Sequence, residues 1–280
     1  MTETDMGNNI TRRDALKRMA LSIGGIIISP NILMGGDKNV FDRIFPKDNI
    51  VWDEDSFCIK RVIKVLKAID FSFNKEANSK EKTFTCYSIV SPKNTRKCAS
   101  LKIKRDADRM LIKLIRKGSY GYSQFLSVDE HLTNESDLIS WNYSLSFSNA
   151  EDNKPFIGNR TSGRGSLLNN HIRINENGCL KDYKTSTGRV MISWNSFDFI
   201  EKIAKDGNAV SCDFIDECDM YSGVRTFSPF KKAKVSLKGE QHNLYCWTLT
   251  GQGTIPVFYW LDEHSDLLFV NSGMNVFVRN

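Results

Sequence analysis

The sequence predicts a mainly β domain: a curved antiparallel sheet, as an open barrel or a sandwich, with one N-terminal helix and one internal helix. Three observations lead there. Beyond residue 100 the apolar residues recur at every second position, the period of a half-buried strand. The alternating runs are short and punctuated by turn residues such as Asn177-Gly178. Two stretches alone keep the spacing of an amphipathic helix.

The first helical stretch is FCIKRVIKVLKAIDFSF, where Ile59, Val62, Ile63, Leu66, Ile69 and Phe73 share one stripe. A helix is expected over 55–70, although its end, 68–73, reads equally well as a strand. The polar run ANSKEK follows as a loop. ASLKIKRDADRMLIKLI then gives two alternating runs joined at Asp106-Ala107-Asp108, a hairpin signal. In ISWNYSLSF, Trp141, Tyr143, Leu145 and Phe147 face one way and Asn142, Ser144 and Ser146 the other. SLLNNHIRINENGCLKDY is a further hairpin, its Asn-Gly pair suited to a tight turn.

NSFDFIEKIAKDG is the internal helix. Asn195 or Ser196 is positioned to cap it, Asp198 and Glu201 lie near its positive end, and Gly207 stops it. Phe197, Ile200, Ile203 and Ala204 form its buried face. CDFIDECDMYSG gathers Asp213, Asp216, Glu217 and Asp219, but lacks the spacing and central glycine of a calcium loop, so a solvated acidic loop is expected. From residue 232 onward the pattern reads as four meandering strands. In GQGTIP the following VFYWLD alternates, so the glycines serve a bulge or tight crossing and not a phosphate loop.

The N-terminus reads as an address. Arg12, Arg13, Lys17 and Arg18 precede ten uncharged residues, 19–28, and Pro30 ends the run. The Arg12-Arg13 pair resembles a twin-arginine export signal, so the export machinery is the expected partner of this segment. The apolar run is shorter than the roughly 20 residues of a spanning helix. No A-x-A site follows it, which leaves open atypical removal or retention as a weak anchor. The expected organisation is an export signal over 1–36, a linker over 37–53 and a single β-rich domain over 54–280, located in the periplasm or cell envelope.

The net charge is +6, of which the first thirty residues carry +1 (four basic, three acidic), leaving +5 for the rest. Residues 93–105 hold six basic groups without an acid. A solvated loop and strand edge is the expectation there, with contact to anionic lipid headgroups as the alternative. Nucleic-acid binding would need a denser stripe. Seven cysteines leave at least one thiol unpaired in an oxidising compartment, and the nearest pair, Cys212 and Cys218, reads as two buried thiols. No cofactor or metal is implied: the four histidines form neither H-E-x-x-H nor a close pair, and no G-x-S-x-G elbow occurs.

LTGQGTIPVFYWLDEHSDLLFVNSGMNVFV resembles the closing strands of uncharacterised exported bacterial β-rich proteins, whose ends run G-x-G-x-x-P-x-x-Y-W-x-D. Gly251, Gly253, Pro256, Tyr259, Trp260 and Asp262 match, while EHSD departs from the glycine turn usual there. VMISWNSFDFIEKIAKDG is similar to the strand and helix that precede those ends. The resemblance implies a curved antiparallel sheet in the envelope and carries no reaction with it.

Trp141, Trp194, Trp247, Tyr259 and Trp260 fall on expected strands. Each reads first as a core residue; in a curled sheet their inward members would alternatively line an apolar pocket, with Arg225 and Asp262 either its polar ends or surface residues. The expected function is therefore non-enzymatic binding of an apolar or amphiphilic ligand. The alternatives are a structural or interaction component with a filled core, and a hydrolase or isomerase acting on a lipid-like substrate.

Overall fold

The computed structural model describes residues 59–69, 71, 80–89, 96–117, 122–133, 137–149 and 155–280. They belong to one compact unit, Glu54–Asn280. The expected export signal and linker lie outside the described residues. A first helix, α1 (Ile59–Ala68), leads into eight strands: β1 (Glu81–Ser88), β2 (Lys97–Asp106), β3 (Arg109–Lys117), β4 (Tyr122–Leu132), β5 (Leu138–Asn149), β6 (Pro155–Leu168), β7 (His171–Glu176) and β8 (Cys179–Lys184). Then come β9 (Val190–Ile192), the helix α2 (Ser196–Asp206), β10 (Val210–Asp216), β11 (Met220–Leu237), β12 (Glu240–Gly251), β13 (Val257–Leu261), β14 (Leu267–Ser272) and β15 (Asn275–Arg279).

All fifteen strands form a single sheet. From one edge it runs β8 back to β1, and β1 then pairs with β15, from which the sheet continues back to β9 at the other edge. The first and last strands therefore form the central seam, antiparallel from Phe84↔Arg279 to Ser88↔Asn275. Laid flat at about 4.8 Å per spacing, such a sheet would be about 67 Å wide. Yet its two edges are consecutive in the chain. The six Cα steps from Lys184 to Val190 reach at most about 22 Å. The sheet must curl until its edges approach each other.

No ladder joins those edges; side chains of β8 and β5 reach the β10–β11 hairpin next to the far edge, and a turn completes the link. Tyr183 on β8 stacks on Tyr221 of β11 with ring centroids 5.0 Å apart. Lys181 Nζ donates to the Asp219 carbonyl at 3.3 Å, and Trp141 Nε1 donates to the Cys218 carbonyl at 2.9 Å. The Asp213 carboxylate accepts the Ser186 and Thr187 amides, fixing the β8–β9 link.

The curl creates an interior, and α2 fills most of it. Phe197, Phe199, Ile200 and Ile203 join the inward residues of both halves of the sheet in one apolar cluster. Burying each is worth about 2 kcal/mol. Phe197 meets Phe84, Phe277 and Tyr259 at centroid distances of 5.2, 5.5 and 6.2 Å. The first half of α2 is enclosed, so its polar Ser196 and Asp198 are buried and Glu201 half-buried, while Lys202, Lys205 and Asp206 stay exposed. Asp198 is bound by Lys82 Nζ and Arg105 Nη1, both at 2.6 Å, and Glu201 by Lys82 at 2.6 Å.

The helix expected over 55–70 is present as α1 over Ile59–Ala68, residues 55–58 and 70 lying outside the described set. The alternative strand over 68–73 does not form at its described residues. The Ile69 and Phe71 amides donate back to Val65 and Leu66, so the chain keeps winding. Val62, Val65 and Leu66 pack on the outer face of the sheet, against Phe258, Trp260, Val276 and Val278.

Four details correct the sequence reading. Neither Asn195 nor Ser196 caps α2 through its side chain. The Asn195 amide is instead drawn away, accepting from the Ile192 amide and donating to Glu130, while Ser196 Oγ donates to the Ser193 carbonyl. The expected acidic loop is a hairpin, β10–β11, because Glu217 and Cys218 adopt positive φ (61° and 143°) and turn the chain tightly. Five strands, not four, occupy the C-terminal region, since β11 extends to Leu237. Finally, β9 and β10 are parallel. The intervening α2 carries the chain back to the end where β9 began.

Two glycines of β6, Gly163 and Gly165, have a packing reason. Gly165 pairs with Trp141 and Gly163 with Tyr143, and each aromatic ring lies across its glycine. A Cβ at Gly165 would fall 1.9 Å from the Trp141 ring. Gly165→Ala is therefore expected to lower stability by about 2 kcal/mol, as measured by denaturant unfolding. An unchanged midpoint would contradict this packing.

Candidate functional site

Where α2 stops short of filling the curl, a cavity of about 430 Å³ opens at one end. It lies between the start of α2, the seam and the β10–β11 hairpin. Its inner wall is aromatic and aliphatic: Trp194, Phe197, Phe214, Tyr259, Val270 and Phe277. Its charged groups are Arg116, Lys117, Arg225, Asp216 and Glu217, and Cys86 and Cys98 complete one side.

Each arginine combines stacking on a ring with hydrogen bonds to an acid. Arg116 on β3 stacks over Trp194, 5.0 Å from the ring centroid, and forms a bidentate pair with Glu217 at 2.7 and 3.3 Å. That pair ties the first half of the sheet to the β10–β11 turn across the cavity mouth. Arg225 on β11 lies 4.2 Å over Phe214, with Nη2 bonded to Asp216 at 2.5 Å and to Ser222 at 3.0 Å. Planar guanidinium groups suit such combined stacking and pairing. Two buried donors on lining residues, Trp194 Nε1 and Arg225 Nε, have no hydrogen-bond partner. Burying a donor unmet costs about 1–3 kcal/mol, which is the sort of deficit an acceptor on a ligand can relieve.

The residues expected to form a pocket divide among four places. Trp194, Arg225 and Tyr259 line the cavity. Tyr259 also donates from its hydroxyl to Ser196 Oγ at 2.9 Å, holding the first turn of α2, and burial pushes its phenol well above the usual range. Trp141 and Trp247 point inward but belong to the filled core away from the cavity. Trp260 is on the opposite face: it stacks on Phe269 at 5.7 Å and packs in the cluster beneath α1. The reason is register, because Tyr259 and Trp260 are consecutive on one strand and must face opposite ways. Asp262 does not reach the cavity either. Its Oδ1 accepts the His264 and Asp266 amides and closes the β13–β14 turn. The Gly251 reading is met by a close crossing: a Cβ there would meet Arg225 Cγ at 2.8 Å and the Val224 carbonyl at 3.0 Å.

The sequence reading missed Arg116, Glu217, Phe214, Cys86 and Cys98. Their signal was weak because each needs the curl to reach the others: Arg116 and Glu217 are 101 positions apart. Cys212 and Cys218 are buried free thiols and do not pair. Among the described residues no group of three or more His, Cys, Asp or Glu side chains could hold a metal ion. The acids of CDFIDECDMYSG are instead committed individually, Asp213 to Thr187 and Tyr221, Asp216 to Arg225, and Glu217 to Arg116.

Deeper in, Glu130 on β4 is fully buried. Its Oε2 accepts from Asn195 Nδ2 at 3.0 Å and its Oε1 has no partner. Burial raises this carboxyl to about 8, with the neighbouring Asp198 charge acting in the same direction.

No protein-family model matches the chain, and no curated protein sequence matches it. Two solved structures resemble it in backbone. One is a β-barrel-like protein of a domain of unknown function, DUF1849, from Brucella abortus. It has a TM-score of 0.47 and 8% identity, over 71% of this chain and 94% of that one. The other is a DUF1089 family protein from Pseudomonas aeruginosa, with a TM-score of 0.41 and 8% identity, over 64% of this chain and 91% of that one.

Glu130 sets a pH dependence. The folded chain holds a proton up to about pH 8 that the unfolded chain releases near the ordinary carboxylate value of 4.5. Stability should therefore fall as pH rises between those values, on the order of 1 kcal/mol per unit. Glu130→Gln, which imitates the protonated group, is expected to flatten that slope in unfolding curves recorded across the window. A variant with the parent's slope would contradict the assignment.

Proposed function

We propose that the chain is an exported envelope protein that binds a small amphiphilic ligand in the cavity at the open end of its sheet, without transforming it. The observation that carries this reading is the cavity's division into an aromatic inner wall and a charged mouth. An apolar body would displace water from Trp194, Phe214 and Phe277, while a polar head would meet Arg116, Arg225 and Lys117. Basic groups exceed acidic ones by one in this lining (three against two), which favours an acidic or strongly accepting head. The volume lies within the 300–1,000 Å³ typical of small-molecule sites. The export half of the reading rests on Arg12-Arg13 and the apolar run behind them.

A structural or interaction role is the second reading, and one feature favours it: α2 packs most of the interior, so ligand space is confined to one mouth. Catalysis has less support. None of the four histidines lines the cavity, and His171 is spent on an exposed pair with Asp182 at 2.7 Å. Among the described residues no helix is long and apolar enough to cross a membrane.

The reading is tested by fractionating cells that express the full chain, purifying it without detergent and recording native mass spectra. Recovery in the envelope fraction with a bound amphiphile, lost in Arg225→Ala, is expected. A cytosolic protein would overturn export. A ligand-free protein whose tryptophan fluorescence responds the same as that of a Trp194→Phe variant throughout a titration with a long-chain carboxylate would overturn binding.

A further inference from the structure

The cavity wall holds a pair of thiols that ligand binding does not explain. Cys86 is on β1 and Cys98 on β2, and their Sγ atoms are 3.0 Å apart. The register shifts after Cys86: Cys86 pairs with Ala99 and Tyr87 with Lys97, so Cys98 is the extra residue of a bulge. Without that bulge alternation would send Cys98 to the opposite face from Ala99 and away from Cys86. The bulge turns it inward instead, the kind of re-aiming bulges provide. Both residues line the cavity, Cys86 buried and Cys98 half-exposed. Strands about 4.8 Å apart hold backbones within the 4.4–6.8 Å Cα range that a disulfide spans.

The surroundings differentiate the two sulfurs. Hydrogen bonding to Cys86 brings the Cys98 thiol down to about 7, with its own and the Ala99 amides and the Arg116 charge assisting, against the effect of partial burial. Once Cys98 ionises, the Cys86 S–H is the donor that holds the negative sulfur, and burial keeps Cys86 itself protonated. One sulfur is thus accessible and nucleophilic, the other enclosed and in contact with it.

We propose that Cys86 and Cys98 form a thiol–disulfide exchange site that takes small-molecule disulfides through the cavity mouth. The Cys98 thiolate attacks one sulfur of the incoming disulfide, forming a mixed disulfide and releasing the first thiolate, which takes up a proton from solvent. Cys86 then loses its proton and attacks Cys98 Sγ, forming the intramolecular disulfide and releasing the second thiol. The protein dithiol is oxidised by two electrons and the small disulfide is reduced to two thiols, so no further oxidant is needed. Excess small thiol runs the sequence backwards.

The test treats the reduced full-length chain with oxidised glutathione and maps its peptides by mass spectrometry. The parent is expected to yield a peptide linked through Cys86 and Cys98, two hydrogens lighter than the separate thiols, and to be restored by reduced glutathione. Cys86→Ser removes the resolving thiol and should accumulate glutathione on Cys98. That adduct should form at least tenfold faster than the one on exposed Cys179, with a rate that rises through about pH 7. Cys98→Ser should leave Cys86 unmodified on the same timescale. Modification of Cys98 no faster than of Cys179, or no linked peptide in the parent, would overturn the proposal. Both arms use protein stripped of any bound amphiphile, so the exchange is read separately from ligand binding in the same cavity.

Discussion

A five-residue link between the two edges of a fifteen-strand sheet is the constraint from which the remaining features follow. Strand pairing by itself would allow an open, twisted ribbon of any curvature. Tying β8 to β9 through residues 185–189 removes that freedom and forces an enclosed interior. An enclosed space must be filled or remain wet, and the chain supplies the filling at once: α2 begins four residues after β9 ends. The parallel β9–β10 pair is a consequence of the same event, since the chain crosses the interior as a helix before rejoining the sheet.

Enclosure also decides what happens to charge. A helix lying on a surface would keep Asp198 and Glu201 in water, where an ion pair contributes little. Inside the curl they need partners, and the sheet provides them from both halves: Lys82 and Arg105 from the first, Arg279 from the last strand. The two carboxyls respond differently. The cations hold Asp198 below the usual carboxylate range, whereas burial raises Glu201. Leaving either acid without its cation would cost about 3–5 kcal/mol, so this network constrains where α2 can lie. Gly163 and Gly165 play the complementary apolar part, making room for Tyr143 and Trp141 on the neighbouring strand.

Period and punctuation made β2, β3, β5, β7, β8, the C-terminal strands, α2 and most of α1 legible, because those signals are local. By contrast β1, which begins inside the expected ANSKEK loop, β4 and β10 were not identified. The Asn177-Gly178 turn forms with positive φ at both residues (49° and 87°), as its sequence requires. What was not legible depends on the curl. Trp260 looked equivalent to Tyr259 in composition, and its face was fixed by parity along one strand. Asp262 looked like a free carboxylate until its own turn took it. The β10–β11 turn was hidden by its acids, whose role is to meet Arg116 and Arg225 from distant strands. The Cys86–Cys98 contact depends on a bulge, and a one-residue slip of register leaves no mark in composition.

The cavity is what remains of the enclosed space beyond the first turn of α2, held open by Arg116 and Arg225 as they brace its aromatic wall. A binding role and a thiol–disulfide role both presuppose that α2 sits inside the sheet and that the edges stay closed around it. Native-state hydrogen exchange tests that arrangement most directly. Enclosure predicts that the amides of residues 199–204 exchange only through global unfolding, as slowly as those of the β1–β15 seam. Exchange of α2 several hundredfold faster than the seam, with the sheet itself still protected, would mean that the helix leaves the interior readily and would contradict the account.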